Sequence, residues 1–451
     1  MPFTTDQQTL EDLNIFGRHG TDSLFTLFNR TFTRGGAAIL EDWFRYPLGD
    51  ENAINHRSSI IRFFAAAKTS FPFKTEAFDQ AELYLANTDE RTRLIPGDLS
   101  LREKMSGLIA EDSTYRTIHK GVLAILDLLR RLQDFLVPFD TGTPYRSEID
   151  LIHHLLSAAS IRPILWEESH RKLPYAKVAA YDAVFRFREH GNIRKLLSHI
   201  YLLDVYISAA HMARDRNLAF AVALPKKEQT VHLEGLFHPQ VKNAVTNDLD
   251  ITPDGNLLFL TGANMAGKST FMKSLGIALY LAHMGMPVPA SKMTFSLRDG
   301  IYTTINLPDN LGMGASHFYA EVLRIKKIAH ELSASKSLFV IFDELFRGTN
   351  VKDAYEATIS LTTSFAARHE SMFVISTHII EAGDVLKQQC PTIDFIYLPT
   401  LMKGNIPVYT YKLEKGITAD RHGMVIIHNE GILDLLKNGH TKPKKRSSRI
   451  H

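Results

Sequence analysis

A single cysteine, Cys390, stands in 451 residues. One thiol excludes a disulfide framework and any cysteine-built zinc site, and it fits a reducing cytoplasm. Its own chemistry reads as that of a small buried hydrophobe. No uninterrupted apolar stretch reaches membrane-spanning length, so no membrane contact is expected. The opening Met1-Pro2-Phe3-Thr4-Thr5-Asp6 has no basic segment leading into an apolar one, so no signal peptide is expected. No repeat recurs at a fixed period. Neither sign of charge dominates: a net charge of +3 permits a nucleic-acid partner without demanding one. Glycine and proline are sparse before residue 220, falling at turns such as Tyr46-Pro47-Leu48-Gly49 and Gly142-Thr143-Pro144.

What fills that first half is helical periodicity. Apolar residues recur at three and four over His119–Leu136 and again over Ile193–Asn217, which predicts long helices in a lever or bundle. The composition changes near Leu224-Pro225-Lys226-Lys227. From there to about residue 430, short apolar runs alternate with helical ones: Leu257–Leu260, Ser337–Phe342 and Ser371–Ser376. Strands alternating with helices predict a largely parallel sheet covered on both faces. Five basic residues crowd Lys442–Arg449, either a solvated disordered end or a phosphate-backbone contact.

Residues 262–269 read Gly262-Ala263-Asn264-Met265-Ala266-Gly267-Lys268-Ser269, a G-x-x-x-x-G-K-S phosphate loop between an apolar strand and a predicted helix, Ser269–Leu281. The glycines let backbone N–H groups close around phosphate oxygens, and the helix N-terminus adds partial positive charge. Lys268 would reach the β/γ-phosphates and the Ser269 hydroxyl would ligate Mg²⁺. The strand Leu338–Phe342 ends in Asp343-Glu344, a Walker B element. Asp343 would hold Mg²⁺, directly or through water, and Glu344 would act as general base on the attacking water. Arg347-Gly348-Thr349-Asn350 continues this strand into a tight turn. A third strand runs into Ser376-Thr377-His378, which puts His378 at the ligand crevice as a candidate γ-phosphate sensor. Between the Walker elements, Asn310–Phe318 opens a helix carrying Glu321. Spacing alone does not separate a phosphate-binding loop acting across a dimer from simple helix capping.

These residues resemble the MutS family, the ABC-type ATPases of DNA mismatch repair. The family's Thr-Gly-Pro-Asn-Met-Gly-Gly-Lys-Ser-Thr is met by Thr261–Thr270, with Ala263 for Pro and Ala266 for Gly. Asp343, Glu344, Arg347, Gly348 and Thr349 meet its Asp-Glu-x-x-Arg-Gly-Thr in full, and Ser376-Thr377-His378 stands for its Ala-Thr-His switch. Ser316-His317-Phe318 stands for its Ser-Thr-Phe signature loop. Ser23–Thr33, Leu40–Leu48 and Leu203–Asn217 resemble its lever domain, and His238-Pro239 and Asn247-Asp248 its approach to the nucleotide domain.

The resemblance implies an α plus α/β fold: a helical core (lever) domain over 1–222, an ABC-type P-loop ATPase domain with a mostly parallel sheet over 223–437, and a basic tail over 438–451. It implies an ATPase using ATP and Mg²⁺, with the phosphate-loop residues through Thr270 on the nucleotide and Ser316 reaching the partner's ATP in a homodimer. The departures from the family pattern are also informative. The mismatch-reading and connector domains are expected to be absent, with little room for the DNA-embracing clamp, and Arg421-His422-Gly423 replaces a Ser-Tyr/Phe-Gly. The expected function is ATP-dependent DNA binding in repair or recombination, by backbone or shape rather than mismatch reading. A repair-protein partner is allowed. The alternative is an ATP-gated protein-interaction switch with no DNA role. A generic P-loop kinase ranks below both, because a Glu directly after the Walker B Asp suits hydrolysis.

Overall fold

The computed structural model describes residues 3–17, 22–95, 113–139, 142–167, 173–305, 317–346, 350–404, 406–418 and 431–438. The helical part comprises α1 (Gln7–Asp12), α2 (Leu24–Phe28), α3 (Arg34–Arg45), α4 (Glu51–Ala67), α5 (Thr75–Ala86), α6 (Ser113–Leu136), α7 (Arg146–Leu156), α8 (Arg162–Trp166), α9 (Tyr175–Asp182) and α10 (His190–Asp215). Helix α6 buries Ile118, Val122, Ile125, Leu129, Leu132 and Leu136, steps of four and three that put one stripe against the core. Gly121 lets α5 lie close along it, since a Cβ there would stand 2.2 Å from the Tyr84 Cβ. By length and composition α10 could cross a bilayer, but 72% of its apolar window is buried inside the protein, as expected of a core helix.

Two segments far apart in sequence meet around one carboxylate. Asp204 on α10 is buried and accepts from the Phe32 and Thr33 backbone N–H groups and from the Thr33 hydroxyl at 2.7 Å. Thr33 in turn caps α3 by accepting from the Gly36 N–H. Burial raises the Asp204 pKa, and these donors hold the charged form against it.

The rest is α/β. A six-stranded sheet runs in the order β12-β9-β4-β8-β7-β6, from β4 (Leu257–Gly262), β6 (Gly300–Thr304), β7 (Leu338–Asp343), β8 (Met372–Ser376), β9 (Ile393–Leu398) and β12 (Glu414–Lys415). All neighbours in it are parallel except β12. A second sheet, in the order β1-β5-β2-β3, comprises β1 (Val222–Leu224), β2 (Val231–Leu236), β3 (Asn247–Ile251) and β5 (Lys292–Ser296). A hairpin of β10 (Thr400–Lys403) and β11 (Ile406–Tyr409) stands apart. The helices here are α11 (Lys268–His283), α12 (His317–Ser333), α13 (Val351–Ala366), α14 (Ile380–Gln389) and α15 (Ile432–Asn438).

Alternation along the buried strands divides the large sheet between two cores. Leu257, Phe259, Val340, Phe342 and Ile375 face a cluster shared with α12, α13 and α14. Leu258, Leu260, Ile341 and Val374 face α11, and this second cluster runs on without interruption into the helical half. The phosphate-loop helix is thus packed into the core of the lever.

Candidate active site

The strand β4 is fully buried between β8 and β9, so its C-terminal end is held rigidly where the loop begins. The turn needs left-handed backbone at Met265 (φ 69°) and at Gly267 (φ 100°), the residue that starts α11. Lys268 is buried, and its ammonium donates to the carbonyls of Gly262 at 2.8 Å and Ala263 at 3.2 Å. The cation therefore already lies along the loop, where phosphate oxygens would replace those carbonyls.

One residue further, the Ser269 hydroxyl donates to Asp343 Oδ2 at 2.5 Å. Asp343 ends β7 and is buried, and its Oδ1 has no hydrogen-bond partner. An orphaned buried carboxylate oxygen beside a serine hydroxyl is a donor set suited to a hard cation. Among the described residues no three His, Cys, Asp or Glu side chains form a metal cage. Mg²⁺ needs none, since it binds through one or two protein oxygens plus substrate phosphates and waters.

Glu344 turns the chain out of the strand at φ 56°, fixed by its N–H donating to the Ser376 carbonyl at 2.9 Å. In the sheet register Asp343 pairs with Ser376, and Ser376 with Leu260, so three strand ends converge. His378, two residues beyond, hydrogen-bonds through Nε2 to Glu344 Oε1. Lys268, Ser269, Asp343, Glu344 and His378 therefore gather at the C-terminal ends of β4, β7 and β8, brought there by parallel topology from positions spread over residues 268 to 378.

A cavity of about 340 Å³ adjoins the loop. Ala266, Gly267, Thr270 and Phe271 form one wall, His238, Val241 and Lys242 another, and Leu398 and Tyr411 a third. Asn247 holds the Tyr411 segment in place, donating to the Tyr411 carbonyl at 3.0 Å and accepting from the Leu413 N–H at 2.7 Å. Burial, aided by Lys273, lowers the His238 pKa, and its Nδ1 accepts from the Gln240 N–H, so the ring facing the cavity is neutral. The space beside a phosphate loop with an apolar, aromatic lining suits a nucleobase. Sequence reasoning missed this pocket; the only local signals were His238-Pro239 and Asn247-Asp248.

Ser316, Arg347-Gly348-Thr349, Arg421-His422-Gly423 and Lys442–Arg449 lie outside the described residues. Asn350 caps α13, accepting from the Asp353 N–H, and Glu321 is buried on α12.

Compared with known protein families, residues 8–210 match MutS domain III and residues 258–438 match MutS domain V. Domain V is the family's ABC-type ATPase domain, and domain III its core domain.

Proposed function

Because the chain belongs to the MutS family of DNA mismatch repair, we propose that it hydrolyses ATP and couples its nucleotide state to DNA binding in repair or recombination. The observation that carries this reading is the pairing of Ser269 with the half-satisfied Asp343, next to Glu344 and His378. The base sits in the pocket walled by Phe271, His238 and Tyr411. Lys268 and the loop N–H groups hold the phosphates. Ser269 and Asp343 are the residues that would hold Mg²⁺, which when bound neutralises phosphate charge. Glu344 accepts a proton from the attacking water; the water oxygen bonds to the γ-phosphorus as the bond to the ADP oxygen breaks. His378 orients Glu344 through their hydrogen bond. Members of the family generally dimerise and bind DNA; here we assign a homodimer with Ser316 closing on the partner's ATP, and DNA read by backbone or shape.

Glu344→Gln should keep ATP affinity and lower turnover by about 10²- to 10⁴-fold, the usual span for a general base. Lys268→Ala should weaken both. Near-normal turnover by Glu344→Gln would remove the assigned base. DNA coupling is read by fluorescence anisotropy on duplex and branched DNA, with and without ATP–Mg²⁺, across a salt series. A second reading, an ATP-gated protein switch, draws on Trp166, which is 68% exposed in a shallow cleft with Pro163, Ile164 and Tyr181. Intact hydrolysis with no DNA binding at low salt would select it.

A further inference from the structure

Behind the Val241–Lys242 wall of the base pocket lies a second cleft of about 440 Å³, between α2, the end of α10 and the loop 239–242. Among the described residues, three cations line it, Arg30, Arg216 and Lys242, against one carboxylate, Asp22. Their donors are largely unspent. Arg30 uses one guanidinium nitrogen on Asp215 at 3.0 Å, and Arg216 uses one on the Pro239 carbonyl at 3.4 Å. A guanidinium carries five N–H donors, so most of each fork remains. Among the described residues Lys242 has no hydrogen-bond or ion-pair partner. The neutral wall does not answer this charge, since the Ser23 and Thr26 hydroxyls close on one another and the backbone in the capping box of α2.

Cations lining one concavity, two of them guanidiniums with spare planar donors, are the chemistry that recognises a compact oxyanion. The volume lies in the range of small-molecule sites. The three cations come from three places, the chain just after α2, the chain just after α10, and the loop shared with the base pocket. An anion there would tie the helical half to that loop, which already meets Asp22 through a hydrogen bond from Gln240 at 3.2 Å. We propose that this cleft is a second anion site, binding the phosphate of a small phosphorylated ligand beside the nucleotide site.

The phosphate loop also attracts anions, so the test weakens it by removing its lysine and reads the loss on changing the cleft itself. Calorimetric titration of the Lys268→Ala protein with inorganic pyrophosphate, free of magnesium, should still give one bound pyrophosphate per chain. Adding Arg30→Gln or Lys242→Glu should weaken that binding at least about tenfold, the worth of one charge-assisted contact. Neither change endangers the fold: Arg30 gives up one exposed ion pair, and Lys242 has no partner to lose. Competition with a short duplex names the phosphate source. Pyrophosphate that stays bound in the presence of the duplex supports a free phosphate ester as the ligand, whereas its displacement would assign the cleft to nucleic-acid backbone and overturn the small-ligand proposal. No pyrophosphate bound by Lys268→Ala, or equal affinity in the added variants, overturns the proposal. That failure would leave the ATPase reading untouched, because the readout is binding without the phosphate-loop lysine.

Discussion

His283, the last residue of α11, is fully buried between the rings of Phe3 (centroids 4.5 Å apart) and Phe295 (4.9 Å). Its Nε2 receives the Arg298 backbone N–H at 3.1 Å, a group that can only donate. The proton must therefore sit on Nδ1, which donates to the Leu279 carbonyl at 2.9 Å. The ring is held neutral, and burial, with the Arg298 guanidinium adding to it, pushes its pKa down to about 4 from the ordinary 6.5. Between those values the unfolded chain binds the proton and the folded one does not. Stability is thus intact above pH 6.5 and is lost as the pH falls toward 4. The loss from pH 7.5 to 5 should be roughly 2 kcal/mol. Urea midpoints at the two pH values measure it. His283→Asn should be less stable at pH 7.5 yet lose less on acidification; an unchanged slope would show that another group is responsible.

At the scale of elements, the phosphate-loop helix ends inside the lever. The Tyr280 hydroxyl donates to the Phe44 carbonyl at 2.6 Å, and the Leu48 N–H to the His283 carbonyl at 2.8 Å. Arg57 donates to the Met284 carbonyl at 2.7 Å while its guanidinium lies 3.7 Å from the centre of the Trp43 ring. The carbonyls that a helix leaves unpaired at its C-terminus are thus partnered by α4 and by the α3–α4 turn. A shift of α11 on nucleotide binding has to move those two helices. Arg57→Ala should therefore keep most ATP turnover but bring the ratio of DNA affinities with and without ATP toward one. An unchanged ratio would exclude this contact as the route.

The elements that could be read in the sequence were those whose signal is local. Leu257–Leu260, Ser337–Phe342 and Ser371–Ser376 are unbroken apolar runs ending in glycine or polar residues, as strands buried on both faces must be. They emerged as β4, β7 and β8, and the site residues sit at their ends. The sheet β1-β5-β2-β3 was not legible. Its strands are three to six residues long, and Val222–Leu224 finds its partner 72 residues away at Thr294–Ser296. The pocket beside the phosphate loop was hidden for the same reason, with walls drawn from 238–247, 266–274, Leu398 and Tyr411. The buried Asp182–Arg186 pair was invisible too, because it sits at a π-helical stretch, Ala183–Arg188, that no apolar period announces.

At the scale of the whole molecule, two further junctions join the helical half to the ATPase half besides the packing of α11 into the lever. One junction is covalent, from α10 into β1. The other is the strap of residues 3–12, which lies along β6, the edge strand of the six-stranded sheet. Thr4 bridges to Gly300, Thr303 donates through its N–H to Thr9 and through its hydroxyl to Asp12, and Asp12 also accepts from the Ile305 N–H. Asp6 pairs with Arg324, and with Lys327 at 2.7 Å, on α12. The Asp6 and Arg324 side chains are 12% and 7% exposed. Burial works to raise the Asp6 pKa, but these cations outweigh it and hold the carboxylate well below its usual range. Its contribution is therefore full above the ordinary value of 3.8 and is lost as the pH falls below that. Covering β6 also removes an open sheet edge. Gly300 makes the fit possible, since a Cβ there would stand 2.4 Å from the Thr4 carbonyl oxygen. Gly300→Ala should therefore push the strap off without altering charge, and Arg324→Ala should free it by leaving Asp6 buried with less to pair with, a change worth roughly 3–5 kcal/mol for a buried pair. Both variants should be cut within residues 3–12 under limited proteolysis that leaves this segment intact in the native chain, and both should still bind ATP, since neither residue touches the phosphate loop. Resistance to cleavage in Gly300→Ala would mean the strap is held by something other than its close approach to β6. Loss of ATP binding in either would mean the edge strand and α12 hold the site together more directly than the geometry indicates.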